Sequence, residues 1–389
     1  MTEISTPIGN LNREQFLEEY WQKKPLVIRQ AFPSFESPLS AEEIAGLACE
    51  EDINSRILLE KDGEHPWQPI FGPMDEETFA RMPETHWTLI VNDLEKHIPE
   101  LAWITDQFNF IPEWRFDDLM TSYAADHGSV GPHMDLYDVF ILQGEGRRRW
   151  QINSQPVAAD NQVKETPLRI QKTFEAEQEW ILEPGDILYI PPGVSHHGVS
   201  LGESISYSIG FRAISHNDLV NDFIGFITRD LDPNLTYRDP DLELKTSANE
   251  FDQQDVDRVR AIFRDYLNPD HPALTQWFGR FMSDPKADLQ LDADEPISDL
   301  GELEALLAED DAKLLRHPAS RFAFTRHEDH CLLFIDGQQY NTSTRFTEML
   351  CEQREINLPE LLGIATVEEQ DLLTEWYNSG KLYLHYNDA

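Results

Sequence analysis

The spacing of hydrophobic and polar positions changes character along the chain. In NREQFLEEYWQKK, which begins at Asn12, Phe16, Tyr20 and Trp21 fall at helical spacing. That helix must stop before Pro25, and PLVIRQ then takes the apolar run of a strand. LSAEEIAGLACEEDINSRILLE repeats the sequence of a short helix followed by a strand, and up to about Asp117 the chain mixes short helices with loops. From Leu119 to Ala213 strand patterns dominate: LMTSYAA, HMDLYDVFILQ, RRRWQIN, WILE, DILYI, GVSL and SISYSIGFRA, punctuated by GEG, EPGD and PPG. Many short strands joined by tight turns predict an antiparallel barrel or sandwich, with GEG as the turn of a hairpin.

Beyond Ala213 the period lengthens again. NDLVNDFIGFITRDL, QDVDRVRAIFRDYL and ALTQWFGRFM each place apolar residues at helical spacing, with the stripes free to pack within one chain or against another copy. The acidic stretch SDPKADLQLDADEPISDLGELEA is expected to be a linker. After it, RFAFTR and HCLLFIDGQQYN predict a hairpin turning at Asp336–Gly337. Two helices, TRFTEMLCEQREI and TVEEQDLLTEWYNSG, and a last strand KLYLHY complete a small unit compatible with a winged helix. The expected division is therefore 1–215 as a mainly β region, 216–284 as a helical block, and 285–389 as a small α+β domain.

Charge narrows the partners. Acidic residues number 72 and basic residues 31, a formal net charge of −41. Such a surface repels nucleic acid and anionic membranes and attracts a cationic protein, although solubility alone also accounts for it. The three cysteines, Cys49, Cys331 and Cys351, form no CxxC pair, so neither a zinc cluster nor a disulfide framework is expected; a reducing cytoplasm fits. No apolar run reaches membrane-spanning length, and the N-terminal sequence lacks the pattern of a secretory signal.

The chemistry concentrates in the β region. Side chains alternate across a strand, so His133 and Asp135 share one face. About sixty residues later, PPGVSHHGVS supplies His196 and His197 after a Pro-Pro-Gly turn. Two histidines and a carboxylate make the facial triad that holds Fe(II) and leaves positions open for other ligands. In an extended segment His196 and His197 point to opposite faces, and the residues alone do not decide which one ligates. In RRRWQIN, Arg148 shares a face with Trp150 and Ile152, which marks it as the buried arginine of the three. A buried guanidinium needs an anion: an internal aspartate or glutamate, or the distal carboxylate of a dicarboxylate bound at the iron.

HMD at 133–135, QGEGRRRW at 143–150 and EPGDILYIPPGVSHHG at 183–198 together resemble the JmjC-type 2-oxoglutarate- and Fe(II)-dependent oxygenases. The opening FLEEYWQKKPLVIRQAF resembles the start of the same family, and the layout is similar to the bacterial ribosomal oxygenases, which hydroxylate an arginine of a large-subunit ribosomal protein. The resemblance implies a JmjC/cupin double-stranded β-helix, a helical dimerisation block making a homodimer, and a C-terminal winged-helix domain. It implies Fe(II) held by His133, Asp135 and His196, the last being three residues after the turn glycine Gly193. It also implies 2-oxoglutarate paired with Arg148, where lysine serves in much of the wider class, and O2 as the other cosubstrate. The product would be an arginine hydroxylated at its β-carbon, with succinate and CO2. Tyr137, two residues past Asp135 if no bulge intervenes, becomes a candidate wall of the substrate pocket, with a plain core role as the alternative. Hydroxylation of a histidine or another residue of a ribosomal protein, histone-type demethylation, and a non-catalytic cupin-like scaffold are the competing readings. Independent nucleic-acid binding by the C-terminal domain is not expected.

Overall fold

A computed structural model describes residues 7–386 except 61–65, 159, 165, 230, 269, 286–290, 292, 294, 310 and 311. The chain divides into two compact units, Met1–Ala213 with His317–Ala319, and Ile214–Arg316 with Ser320–Ala389.

The first unit is built on one ten-stranded antiparallel sheet. In chain order its strands are β1 (Leu26–Ile28), β2 (Ser55–Leu59), β3 (Gln68–Phe71), β4 (Trp87–Val91), β5 (Phe116–Ala124), β6 (His133–Met134), β7 (Val139–Asn153), β8 (Gln178–Leu182), β9 (Ile187–Ile190) and β10 (Ser195–Phe211). They are ordered β1-β9-β7-β10-β5-β4-β2-β3, with β6 added to β10 and β8 to β7. Strands β3 and β4, which the hydrophobic pattern does not single out, extend the sheet beyond β5 through β2. The helix Arg13–Glu19 is where its pattern predicts, started by Asn12 and Gln15 in a reciprocal capping box. Its Phe16 is fully buried against Phe140 and Tyr189, with ring centroids 5.5 and 5.0 Å away.

The GEG segment is not a hairpin. Val139 to Asn153 is one continuous strand that pairs along its length with the equally long β10. Register shifts interrupt that pairing between Ser200 and Ser204 and between Ile205 and Ser206. Gly146, at φ +64, lies where a Cβ would come within 2.1 Å of the Glu203 carbonyl oxygen, so only glycine lets the two strands close there. The bulge also reverses the alternation. Val139 and Ile141 before it, and Trp150 and Ile152 after it, belong to the same apolar cluster despite their opposite parity. Phe140 and Leu142 face the other way, into the main core.

The expected single strand HMDLYDVFILQ is also broken. β6 ends at Met134, Leu136 and Tyr137 form a bend, and β7 starts at Val139. The bend is held at both ends: Gly193 N donates to Asp135 O at 2.8 Å and Phe211 N to Asp138 O at 3.0 Å.

The second unit begins with the helices His216–Thr228, Gln253–Tyr266 and Leu274–Ser283, all close to their predicted positions. The stretch expected to be a linker contains a helix, Leu300–Glu309, whose Leu303 is fully buried. A three-stranded sheet, Phe322–Arg326, Cys331–Ile335 and Gln338–Thr342, turns at Asp336–Gly337, both at positive φ as the Asp-Gly turn requires. The last strand, Leu382–His385, pairs with Lys313–Arg316. Phe346, Leu373 and Trp376 anchor the core of this unit. Among the described residues no helix is long and apolar enough to cross a membrane.

Glu95, on the short helix Leu94–His97, is 1% exposed and accepts a 2.8 Å hydrogen bond from Leu119 N. Burial pushes its carboxyl up to about 8, with Asp118 adding to the shift and the Leu119 bond opposing it. The folded state therefore holds a proton here that the unfolded chain has released, so its stabilising contribution is complete below about pH 4.5 and lost as pH rises through about 8. The thermal midpoint of the first unit should fall over this window by the equivalent of a few kcal/mol, and Glu95→Gln should flatten the slope. Parallel slopes in calorimetric pH series of the two proteins would contradict this assignment.

Candidate metal centre

Three potential ligands converge where β6 pairs with the start of β10. In the register, His196 of β10 lies between Ile152 of β7 and His133 of β6. Asp135 follows β6 directly. His133 Nε2 is 3.7 Å from Asp135 Oδ2 and His196 Nε2 is 3.6 Å from the same oxygen, and one ligand atom from each residue falls within 4.8 Å of the others. The imidazole rings stand 4.2 Å apart at 62°. Each ring uses its other nitrogen on the backbone: His133 Nδ1 donates to Gly131 O at 2.8 Å, and His196 Nδ1 to Val194 O at 3.1 Å. Those bonds place the proton on Nδ1 and leave the Nε2 lone pairs facing the carboxylate, the tautomer a metal requires. Burial pulls the His196 imidazole down to about 4, so it is neutral at physiological pH. This donor set fits a divalent ion with an open coordination site.

His197 is not part of the cluster. Its ring lies 5.9 Å from that of Phe174, and burial lowers it to about 4, with Arg149 adding to the shift. Of the two adjacent histidines that strand alternation left undecided, His196 is the one that lies with His133 and Asp135.

Arg148 is 6% exposed, and the side chains it bonds are hydroxyls. Nη1 donates to Ser122 Oγ at 3.0 Å and Ser206 Oγ at 2.9 Å; Nε and Nη2 donate to Ser204 Oγ at 3.3 and 3.1 Å. Among the described residues no carboxylate pairs with it, so the internal salt bridge is absent. Burial lowers the guanidinium to about 10, which still leaves it charged at neutral pH. Arg147 is exposed and Arg149 half-buried, as the alternation predicts. A cavity of about 390 Å³ is lined by His133, Asp135 and His196 and also by Arg148, Trp150 and Tyr137. Tyr137 reaches it from the bend rather than by strand alternation. Burial raises its phenol above the ordinary range, with Asp135 and Asp118 adding to the effect.

Three further cavity residues come from parts of the chain where the sequence offers no motif. Arg56 Nη1 donates to Asn92 Oδ1 at 2.9 Å, and Asn92 Nδ2 to Asp118 Oδ2 at 3.1 Å. Asp118 is one acid among 72, and nothing in its neighbours distinguishes it before the fold places it on the cavity wall.

A JmjC-domain profile matches residues 103–219, and a ROXA-like winged-helix profile matches 267–383. The ribosomal protein uL16 3-hydroxylase of Escherichia coli is 38% identical over 288 residues, covering 74% of this chain and 75% of that protein. The chain belongs to the ribosomal oxygenases. A probable ribosomal oxygenase of Haemophilus influenzae is 33% identical over 337 residues, covering 85% of this chain and 82% of its own. The solved structure of YcfD, a ribosomal oxygenase of E. coli in complex with cobalt and 2-oxoglutarate, superposes with a TM-score of 0.81 at 32% identity, covering 97% of this chain and 99% of that one. The protein is accordingly an enzyme, a JmjC-type oxygenase that uses Fe(II), 2-oxoglutarate and dioxygen, and a non-catalytic scaffold is set aside.

The hydroxyl-lined setting of Arg148 predicts that a dicarboxylate supplies its missing counter-charge. Arg148→Ala should weaken 2-oxoglutarate affinity by about ten- to a hundredfold, the loss expected of a charge-assisted pair, with metal affinity little changed. Wild-type cosubstrate affinity in this variant, measured by calorimetric titration, would contradict the assignment.

Proposed function

We propose that this ribosomal oxygenase hydroxylates the β-carbon of an arginine in ribosomal protein uL16, with Fe(II) held by His133, Asp135 and His196 and 2-oxoglutarate paired with Arg148. Bound iron would use dioxygen as oxidant, with 2-oxoglutarate as the two-electron reductant giving succinate and CO2, to put one oxygen atom into an unactivated C–H bond and the other into succinate. The chain's own residues do the rest. The two Nε2 atoms and the Asp135 carboxylate would hold the ion. Arg148, fixed by three hydroxyls, would orient the cosubstrate from its far end. The buried apolar residues beside it, Trp150 and Ile152, keep water from this part of the site.

The observation that carries the reading is Arg148: a buried cation with no carboxylate partner among the described residues, on the wall of the cavity that holds the histidine–aspartate cluster. The target rests on the E. coli relative, named for 3-hydroxylation of uL16; carbon 3 of an amino acid is its β-carbon. Asp118 favours arginine over histidine as that target. It is a cavity carboxylate outside the cluster, oriented by Asn92, and a guanidinium requires such a partner where a neutral imidazole does not. Tyr137 lines the same cavity and would be available to pack against that side chain. A surface with net charge −41 suits a basic ribosomal protein and disfavours independent binding of RNA by the C-terminal domain. A ribosomal protein as target supports a cytoplasmic location.

We assign catalysis to 1–215, self-association to 216–284 and a winged-helix role to 285–389. The middle block supports a homodimer because Val259, Ile262 and Phe263, on the helix Gln253–Tyr266, are apolar and exposed.

In cells lacking the gene, uL16 should lack one oxygen on an arginine peptide. The purified enzyme with Fe(II) and 2-oxoglutarate should restore it, and His133→Ala or Asp135→Ala should not. Oxygen found on a histidine peptide instead, or loss of methyl groups, would overturn the arginine assignment. Phe263→Glu should shift the sedimentation coefficient from dimer to monomer; a wild-type protein already monomeric at micromolar concentration would remove the dimer.

A further inference from the structure

Gln171 lies on the long connection between β7 and β8 and is 7% exposed. Its backbone N donates to Pro132 O at 2.8 Å, and its side-chain Nε2 donates to Ser195 Oγ at 2.7 Å. Pro132 immediately precedes His133, and Ser195 immediately precedes His196. One residue therefore grips both strands just before each delivers its imidazole, at the edge where β6 pairs with β10 through His133↔His196 and Met134↔Ser195. β6 is only two residues long, so its backbone pairing to β10 cannot by itself hold His133 firmly. The residues before Gln171 are not idle packing: Leu168, Arg169 and Ile170 line the same cavity as the cluster, and Ile170 lies where a Cβ on Gly131 would meet it at 2.9 Å. Gly131 is in turn the residue whose carbonyl holds His133 Nδ1.

We propose that Gln171 is a positioning residue for the metal centre: it clamps Pro132 and Ser195 together and thereby sets the spacing and tilt of His133 and His196, tying them to the cavity-wall run 168–170. This rests on the reading of those histidines as metal ligands. Gln171 touches neither metal nor substrate, so its effect must appear in the ligand geometry. The backbone half of the clamp survives substitution, and the side-chain half does not.

The test is titration of the purified full chain with Co(II), read by calorimetry and by the visible d–d absorption, for wild type, Gln171→Ala, Ser195→Ala and the double variant. Removing a residue that orients ligands should weaken Co(II) binding by about tenfold or more and change the d–d band shape. Ser195→Ala removes the same bond from the other side and guards against a local folding defect at residue 171, so the double variant should be no worse than the single ones. The turnover number should fall with the Co(II) affinity, while 2-oxoglutarate affinity, set at Arg148, should stay within about twofold by the same reasoning on independent sites. Wild-type binding with variants whose affinity and spectrum are unchanged, or with additive losses in the double variant, overturns this inference alone. A wild type that binds no Co(II) overturns the metal reading, and this inference with it.

Discussion

A guanidinium sealed from water and surrounded by hydroxyls is an expensive thing for a fold to build, and the site is organised around it. Placing an ion in a low-dielectric interior costs several kcal/mol unless an opposite charge meets it. Serine oxygens on β5 and β10 supply hydrogen bonds to Arg148 but no charge. A neighbouring aspartate would have neutralised the cation and left it without attraction for a ligand. The serines orient the cation without neutralising it, so it keeps its attraction for an anionic ligand. Arg29 differs on both counts: its side chain is about half exposed, and its Nη1 lies 2.6 Å from the buried Asp186 carboxylate.

Getting that cation and the ligand cluster onto one wall depends on two long, bent strands. β10 carries His196 near its start and Ser204 and Ser206 beyond its bulge; β7 carries Arg148 beyond its own. Without the extra residues in the pairing, strict alternation would turn one half of β7 away from the cavity. Gly146 permits the close approach beside Ser204, so a residue with no side chain helps decide which side chains face the cavity.

Much of this was legible before any coordinates. Alternation alone separated Arg148 from Arg147 and Arg149, because a two-residue period is robust over a short stretch. The histidine–aspartate spacing and the Pro-Pro-Gly turn marked the three residues that the fold brings together, since each constraint is local. What stayed hidden depends on pairing between distant segments. GEG has the composition of a hairpin turn, and only the facing bulge near Glu203 shows that it bends one strand. His196 and His197 differ in nothing but register, which the residues themselves do not carry and the family resemblance had to supply. Asp118, Asn92 and Arg56 come from β5, the end of β4 and β2, and no spacing rule brings three separate strands to one cavity. The helix Leu300–Glu309 was masked by acidic residues that make a solvated helix and a linker look alike.

The most direct test is a crystal structure grown with Mn(II) and 2-oxoglutarate, with the ion located by its anomalous signal. The account predicts a single strong peak within bonding distance of His133 Nε2, Asp135 and His196 Nε2, with the distal carboxylate of 2-oxoglutarate against Arg148. An ion bound through His197, or a cosubstrate whose far carboxylate points away from Arg148, would contradict it.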